Sequence, residues 1–174
     1  MDSKAKIAGH AIHPMLIVFP LGLLATSFIF DIIRMAVGGS GLGVASFYMI
    51  AAGVLSGLAA AIFGLIDWLA TPQGSRARYI GAYHGIGNVV VVGLFIISWA
   101  LRYGDPANPG GGPVFLSLLG VLLALVTGWL GGELVERLGV SIDTGAHVNA
   151  PSSLSGRPAS ETWTPSRPLQ PRKA

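Results

Sequence analysis

The stretch from residue 35 to residue 66 reads MAVGGSGLGVASFYMIAAGVLSGLAAAIFGLI and contains no charged side chain over 32 positions. An α-helix rises about 1.5 Å per residue, so about 20 apolar residues cross the hydrocarbon core of a bilayer. The Gly-Gly-Ser-Gly run at positions 38–41 separates the end of one helix from the start of the next. The stretch therefore predicts that the chain enters a membrane.

Outward from this stretch, the same pattern repeats. Three further stretches of at least 23 residues also lack charged side chains: 7–30, 79–101 and 106–132. We predict four membrane-spanning helices, near residues 13–36, 44–69, 79–102 and 113–137. Short turn-rich connections make sequential helices antiparallel neighbours. The predicted fold is an all-α, integral membrane, antiparallel four-helix bundle over residues 13–140.

Composition agrees with a membrane protein and excludes several functions. Of the 174 residues, 52% are hydrophobic and 11% are charged, and the mean hydropathy is +0.65. The absence of cysteine excludes disulfides, thiolate metal sites and bound iron–sulfur clusters. The sequence has no phosphate-binding loop, nucleophile elbow or zinc-protease motif, and its few arginines do not predict nucleic-acid binding. We expect a protein that is not an enzyme on its own.

Basic residues predict the orientation. With four spans, the N-terminal segment 1–12, the loop near 70–79 and the tail 141–174 share one side of the membrane. That side carries nine of the eleven Lys and Arg residues, and the opposite side carries Arg34 and Arg102. The positive-inside rule then places both termini in the cytoplasm.

The C-terminal tail differs in composition from the spans. Residues 150–174 contain five prolines, five serines and three arginines, which cannot bury a core. We predict that the tail is disordered. A basic, proline-rich tail could also contact a larger membrane complex, so residues 141–174 are the predicted partner-binding segment.

Ionisable residues inside the spans are the candidate functional residues, because such groups are costly in hydrocarbon. Helix directions bring four of them to the side of the membrane that carries the N-terminal segment and the tail: His13, Asp67, His84 and Glu133. Asn88 follows His84 by four residues and lies on the same helix face.

One interpretation of this cluster is a haem site. Two histidines on different helices of a bundle can supply both axial ligands of a b-type haem, and His13 and His84 are the candidate pair. His10 could replace His13, whereas His147 lies in the tail. The residues expected to orient the two imidazoles are Asp67, Asn88 and Glu133. Because His13 precedes Pro14, we expect it outside the helix or at its N-cap. A haem at that depth would be partly exposed to the headgroups, and no second histidine pair exists for another haem.

Two other interpretations stay open. A metal site would use both histidines with the two carboxylates, as His13, Asp67, His84 and Glu133. Alternatively, the same groups pair with one another and with Arg76 or Arg78, and they only stabilise the bundle.

On the opposite side we predict interfacial ion pairs. Asp31 and Arg34 lie three residues apart on one helix, and Arg102 and Asp105 mirror them across the bundle. Aromatic residues are predicted to form a belt at each membrane surface: Tyr48, Trp99 and Tyr103 on this side, and Trp68, Tyr79 and Tyr83 on the terminal side.

Several motifs together resemble one protein family. These are His13-Pro14, Phe30-Asp31, the FGLIDW sequence at 63–68, His84-x-x-x-Asn88 and the GWLGGELV sequence at 128–135. In this order they resemble the bacterial membrane family known as domain of unknown function 2231, over residues 8–141. The resemblance implies a four-span membrane protein. It also implies a redox setting, since relatives can be fused to Rieske-type iron–sulfur domains and the bundle is similar to that of b-type cytochromes. Without cysteine, any Rieske-type partner of this chain would be a separate polypeptide.

Overall fold

A computed structural model describes residues 1–164 of the chain. Two short strands, β1 (Lys6–Ile7) and β2 (His10–Ala11), precede five α-helices. The helices are α1 (Ile12–Leu16), α2 (Val18–Val37), α3 (Ser40–Ala70), α4 (Arg76–Leu101) and α5 (Gly111–Gly132), and a π-helical turn at Glu133–Arg137 extends α5. Within the described residues, four helical segments are long and apolar enough to cross a membrane. The bounds of these segments, 12–37, 40–70, 76–101 and 111–137, lie within four residues of the predicted ones.

The first span is interrupted between α1 and α2. Pro20 has no backbone N–H, so the carbonyl of Leu16 loses the hydrogen bond that a continuous helix would give it. The amide of Ile17 still donates to the carbonyl of His13, at 3.2 Å. His13 therefore lies in α1, a short helix that ends directly before the interruption, and it is the second residue of that helix.

The spans form two helical hairpins. In the first hairpin (residues 12–70) α2 packs along α3, and in the second (residues 76–137) α4 packs along α5. Contacts between the two hairpins, at the interface that we call the seam, are fewer than contacts within them. A core of Leu24, Ile50, Val54, Val91 and Phe95 fills the middle of the bundle. Each hairpin thus behaves as one packed unit facing the other.

The outer surface of the bundle is apolar. Leu55, Val89 and Leu125, one from each of three helices, are 68%, 70% and 66% exposed. A large continuous surface of such side chains is energetically favourable in contact with lipid and unfavourable in contact with water. On α3, Tyr48 and Trp68 are 20 residues apart, which is about 30 Å along a helix and matches the hydrocarbon thickness. The bundle is therefore built to span a bilayer between these two levels.

The N-terminus and residues 141–164 lie at one end of the bundle, which we call the terminal end. The two strands form a ribbon that turns at Ala8 and Gly9, where φ is +49° and +80°, as a tight hairpin turn requires. Lys6 pairs with Asp143, and this hydrogen bond raises the pKa of Lys6. No feature of segment 1–12 had predicted this ribbon.

Residues 141–164 lie beside the ribbon and contain turns and one short 3-10 helix, Ser153–Ser155. The amide of Thr144 donates to the Asp2 carboxylate at 2.7 Å, which lowers the pKa of Asp2. The amide of Trp163 donates to the carbonyl of Asn149. This segment therefore has an irregular backbone that makes defined contacts with the N-terminal residues. The rest of the predicted tail, 165–174, lies outside the described residues.

Candidate cofactor site

Two histidines meet across the seam at the terminal end. The ring centroids of His13 and His84 are 6.4 Å apart, with the ring planes at 89°. His13 belongs to the first hairpin and His84 to the second, so each hairpin supplies one imidazole. The structure therefore brings together the pair that the sequence predicted.

Each imidazole is held by a carbonyl of its own hairpin. Nδ1 of His13 lies 2.8 Å from the carbonyl oxygen of Ala60, and Nδ1 of His84 lies 2.8 Å from that of Thr127. A carbonyl oxygen only accepts, so in both rings Nδ1 carries the hydrogen and donates. In the neutral ring this leaves the Nε2 lone pair available, which is the state that binds metals.

Glycines make room for both rings. A Cβ atom at Gly64 would lie 2.9 Å from Cε1 and Nδ1 of His13, and one at Gly131 would lie 3.1 Å from Cε1 of His84. Gly64 is on α3 and Gly131 on α5, each on the helix that also supplies the accepting carbonyl. Larger residues at these two positions would displace the imidazoles from their carbonyls.

Asn88 and Thr127 support the second histidine. The Asn88 amide nitrogen donates to the carbonyl of His84 at 2.8 Å, and Thr127 Oγ1 donates to Asn88 Oδ1 at 3.1 Å. The same amide nitrogen is 3.4 Å from Nδ1 and 3.3 Å from Nε2 of His84. Being almost equidistant from both nitrogens, it is not in line with the Nε2 lone pair, which stays available.

The two carboxylates of the predicted cluster point elsewhere. Asp67 accepts hydrogen bonds from residues 3–5, and Glu133 pairs with Arg76 at 2.6 Å. Within residues 1–164, no group of three or more His, Asp or Glu side chains could hold a metal ion. The structure therefore does not assemble the four-residue metal site, and the hydrogen bonds of the two carboxylates go to groups other than the imidazoles.

The other histidines are also separate from the pair. His10 is exposed in the ribbon, where its Nδ1 lies 3.2 Å from the carbonyl of Ala8. His147 accepts a hydrogen bond from the amide of Asn149 in the tail segment. The substitution of His10 for His13, which the sequence left open, is not the arrangement observed.

Comparison with known proteins agrees with a membrane protein. The profile of a family described as "Predicted membrane protein (DUF2231)" matches residues 9–144. The chain belongs to the DUF2231 family. No curated protein and no solved structure gives a significant match to this chain. The matched region of this DUF2231 member contains all four spans and both histidines.

A second polar cluster of this DUF2231 member lies at the opposite end of the bundle. Asp31 and Arg102 are both fully buried, and Arg102 Nη2 is 2.6 Å from Asp31 Oδ2. Arg102 Nη1 donates to Asp31 Oδ1 at 2.8 Å, so the pair is bidentate. This corrects the prediction of interfacial ion pairs: Arg34 donates instead to the carbonyl of Pro109, and the Asp105 carboxylate accepts from a loop amide.

Serines complete the arginine cluster. The remaining N–H groups of Arg102 donate to the hydroxyls of Ser46, Ser98 and Ser117, at 3.1, 3.3 and 3.1 Å. All five guanidinium N–H groups therefore have acceptors, and these come from α2, α3, α4 and α5. These serines were not predicted as polar partners; their signal in the sequence is one hydroxyl in each of α3, α4 and α5 at the depth of a charged residue.

Proposed function

We propose that this DUF2231 member is a redox-associated accessory subunit of a membrane complex that binds one b-type haem between His13 and His84. The observation that carries the proposal is the meeting of the two imidazoles across the seam, 6.4 Å apart. Each ring is fixed through Nδ1 by a carbonyl of its own hairpin. The same second-sphere arrangement is common among metal-ligating histidines.

The donor set fits a haem iron. A bis-imidazole site needs two neutral rings that present Nε2, and the Nδ1 hydrogen bonds favour this tautomer in both rings. His13 and His84 would hold the iron through their Nε2 atoms.

The packing of the bundle indicates how the macrocycle would be accommodated. The rings face each other edge to face, so a flat macrocycle enters only when the two hairpins separate at the terminal end. Packing is weaker at the seam than within either hairpin. At the far end, the Asp31–Arg102 cluster joins the hairpins, so this separation would leave that end closed.

When bound, a b-type haem would supply one-electron transfer. The chain's own residues fix its ligands: Ala60 and Thr127 orient the two rings through their carbonyls. The hydrogen bonds that Nδ1 donates make each imidazole a stronger ligand. Asn88 and Thr127 limit rotation of the His84 ring.

An absorption spectrum of the purified protein tests the proposal. The protein is produced in cells given a haem precursor, purified in detergent, and measured oxidised and then reduced with dithionite. We expect a Soret band that shifts on reduction and is lost in His13→Ala and in His84→Ala. His10→Ala and His147→Ala are matched controls that should keep the band, because those histidines lie away from the pair. A colourless protein, or a band indifferent to all four substitutions, would contradict the haem assignment.

A structural role is the competing function, and one observation favours it. The Nδ1 of each histidine is already satisfied by a carbonyl, so the pair also stabilises the bundle without a cofactor. A colourless protein that loses thermal stability in both alanine variants would assign the chain this role. A colourless metal bound by the same two nitrogens would appear in elemental analysis and be lost in the same variants.

We further propose that the chain lies in the bacterial inner membrane with its termini in the cytoplasm. The excess of basic residues on the terminal side supports this orientation. Because the chain has no cysteine, single-cysteine variants report accessibility directly. Lys4→Cys should react with an impermeant maleimide only after the cells are opened, whereas Asp105→Cys should react in intact cells. The reverse pattern would contradict the orientation.

The proposed partner is a larger membrane redox complex or a separate Rieske-type protein, contacted in part by residues 141–174. Residues 141–164 lie at the terminal end and contact the N-terminal segment that leads to His13. This position supports a partner contact near the proposed haem. Deleting residues 145–174 keeps the partners of Lys6 and Asp2 and should release co-purifying redox proteins. Unchanged co-purification after this deletion would exclude residues 145–174 as the contact.

A further inference from the structure

We propose that Asp67 is the positioning residue for His13, and that it acts through residues 3–5 and not by contact with the imidazole. This inference rests on the proposed function of the histidine pair, since it concerns how one of the two ligands is held. The sequence placed Asp67 next to the histidines, whereas the structure shows an indirect route.

The Asp67 carboxylate is buried and binds the N-terminal segment. Its side chain is 5% exposed near the end of α3. The hydroxyl of Ser3 lies 2.8 Å from both carboxylate oxygens, and the amides of Lys4 and Ala5 donate to Oδ1 at 2.7 and 3.4 Å. Among the described residues, no cation lies within ion-pair distance of this carboxylate. A buried carboxylate held by main-chain amides fixes the backbone that donates to it.

The segment bound by Asp67 leads directly to His13. The carbonyl of Ala5 accepts a hydrogen bond from the amide of Ile12 at 2.9 Å, and Ile12 begins α1. The ribbon between them pairs Lys6 with Ala11, so residues 5–12 form one closed loop. His13 is the next residue, and its position is fixed by where this loop is fastened.

One face of α3 binds both ends of this route. Ala60, Gly64 and Asp67 are spaced by four and three residues, which places them on a single helix face. Ala60 accepts from the imidazole, Gly64 leaves space for the ring, and Asp67 fastens the preceding segment. The face acts as a cradle for residues 3–13. An arrangement that served only to cap the end of α3 would not need the two other positions.

Nitrogen NMR of the haem-free protein, labelled with 15N-histidine, tests the inference. In the unmodified protein, His13 and His84 should each give a hydrogen-bonded Nδ1–H signal, assigned by loss in the two alanine variants. Asp67→Asn keeps the shape of the side chain but removes its charge. We expect it to abolish or exchange-broaden the His13 signal and leave that of His84 unchanged.

Two further variants keep the test decisive. Glu133→Gln, which removes a carboxylate paired with Arg76 at the same end, should leave both signals unchanged. Ser3→Ala removes one donor and no charge, so it should weaken the His13 signal even if Asp67→Asn fails to fold. An unchanged His13 signal in either folded variant would overturn the inference.

The haem spectrum separates this inference from the proposed function. If the protein binds haem, Asp67→Asn should lower the bound fraction several-fold, and Asp67→Glu should restore part of it. If no haem binds to any variant, the proposed function fails, while the NMR result still decides whether Asp67 positions His13.

Discussion

Replacing Arg102 by methionine tests the buried cluster that joins the two hairpins. Methionine fills the site with an unbranched apolar side chain, but it removes the charge and all five hydrogen bonds that Arg102 donates. It leaves the carboxylate of Asp31 fully buried without its cation. Breaking one partner of a buried ion pair costs about 3–5 kcal/mol, because an uncompensated charge remains.

Polar contacts formed in the membrane-embedded unfolded state reduce this cost. We therefore expect Arg102→Met to lower the free energy of unfolding by about 3 kcal/mol.

A double-mutant cycle in detergent measures this loss. Asp31→Leu together with Arg102→Met replaces the pair with apolar side chains and should recover most of the stability. Arg34→Met is the matched control at the same end. It removes a hydrogen bond to the carbonyl of Pro109 and should cost about 1 kcal/mol. Additive losses from the two single substitutions at the ion pair would refute the account of a coupled buried pair.

Three further outcomes follow from the structure. Gly64→Val should abolish haem binding, because its side chain would overlap the neighbouring imidazole, whereas Gly22→Val at an open position should not; equal haem content in both would contradict the ring packing. The NMR chemical shift of the Thr144 amide should follow the protonation of Asp2, with a midpoint below the usual aspartate pKa of about 3.9. The hydrogen bond from this amide lowers the pKa of the Asp2 carboxyl. This contact contributes stability at neutral pH that is lost as the pH falls through the lowered pKa, and a midpoint at or above 3.9 would argue against it. Glu133→Gln should lower the free energy of unfolding by less than about 1 kcal/mol, because the side chain of its partner Arg76 is 59% exposed. A larger loss would show that this ion pair is part of the core.

The fold was predictable because hydropathy and charge determine membrane spans locally. The uncharged stretch at 35–66 and its three counterparts fixed the number of helices. The short loops then fixed their antiparallel order. The ribbon at Lys6–Ala11 was not predictable in the same way, because its turn uses Ala8 with positive φ, a conformation that alanine seldom adopts.

The site was predictable in its histidines and not in its carboxylates. His13 and His84 were placed together by helix direction and depth alone, and the structure brings them together. Direction and depth do not determine which way a side chain turns around the helix axis. Asp67 therefore binds the N-terminal segment, and Asp31 pairs with Arg102 across the bundle and not with its helical neighbour.

Electron paramagnetic resonance of the oxidised protein, combined with the haem content per chain, tests the central claim most directly. If His13 and His84 both bind one iron, the protein should contain equimolar haem with a low-spin ferric signal. Either alanine substitution should convert residual haem to a high-spin form. A high-spin signal in the unmodified protein, or a low-spin signal that survives loss of either histidine, would contradict a haem held between the two helical hairpins.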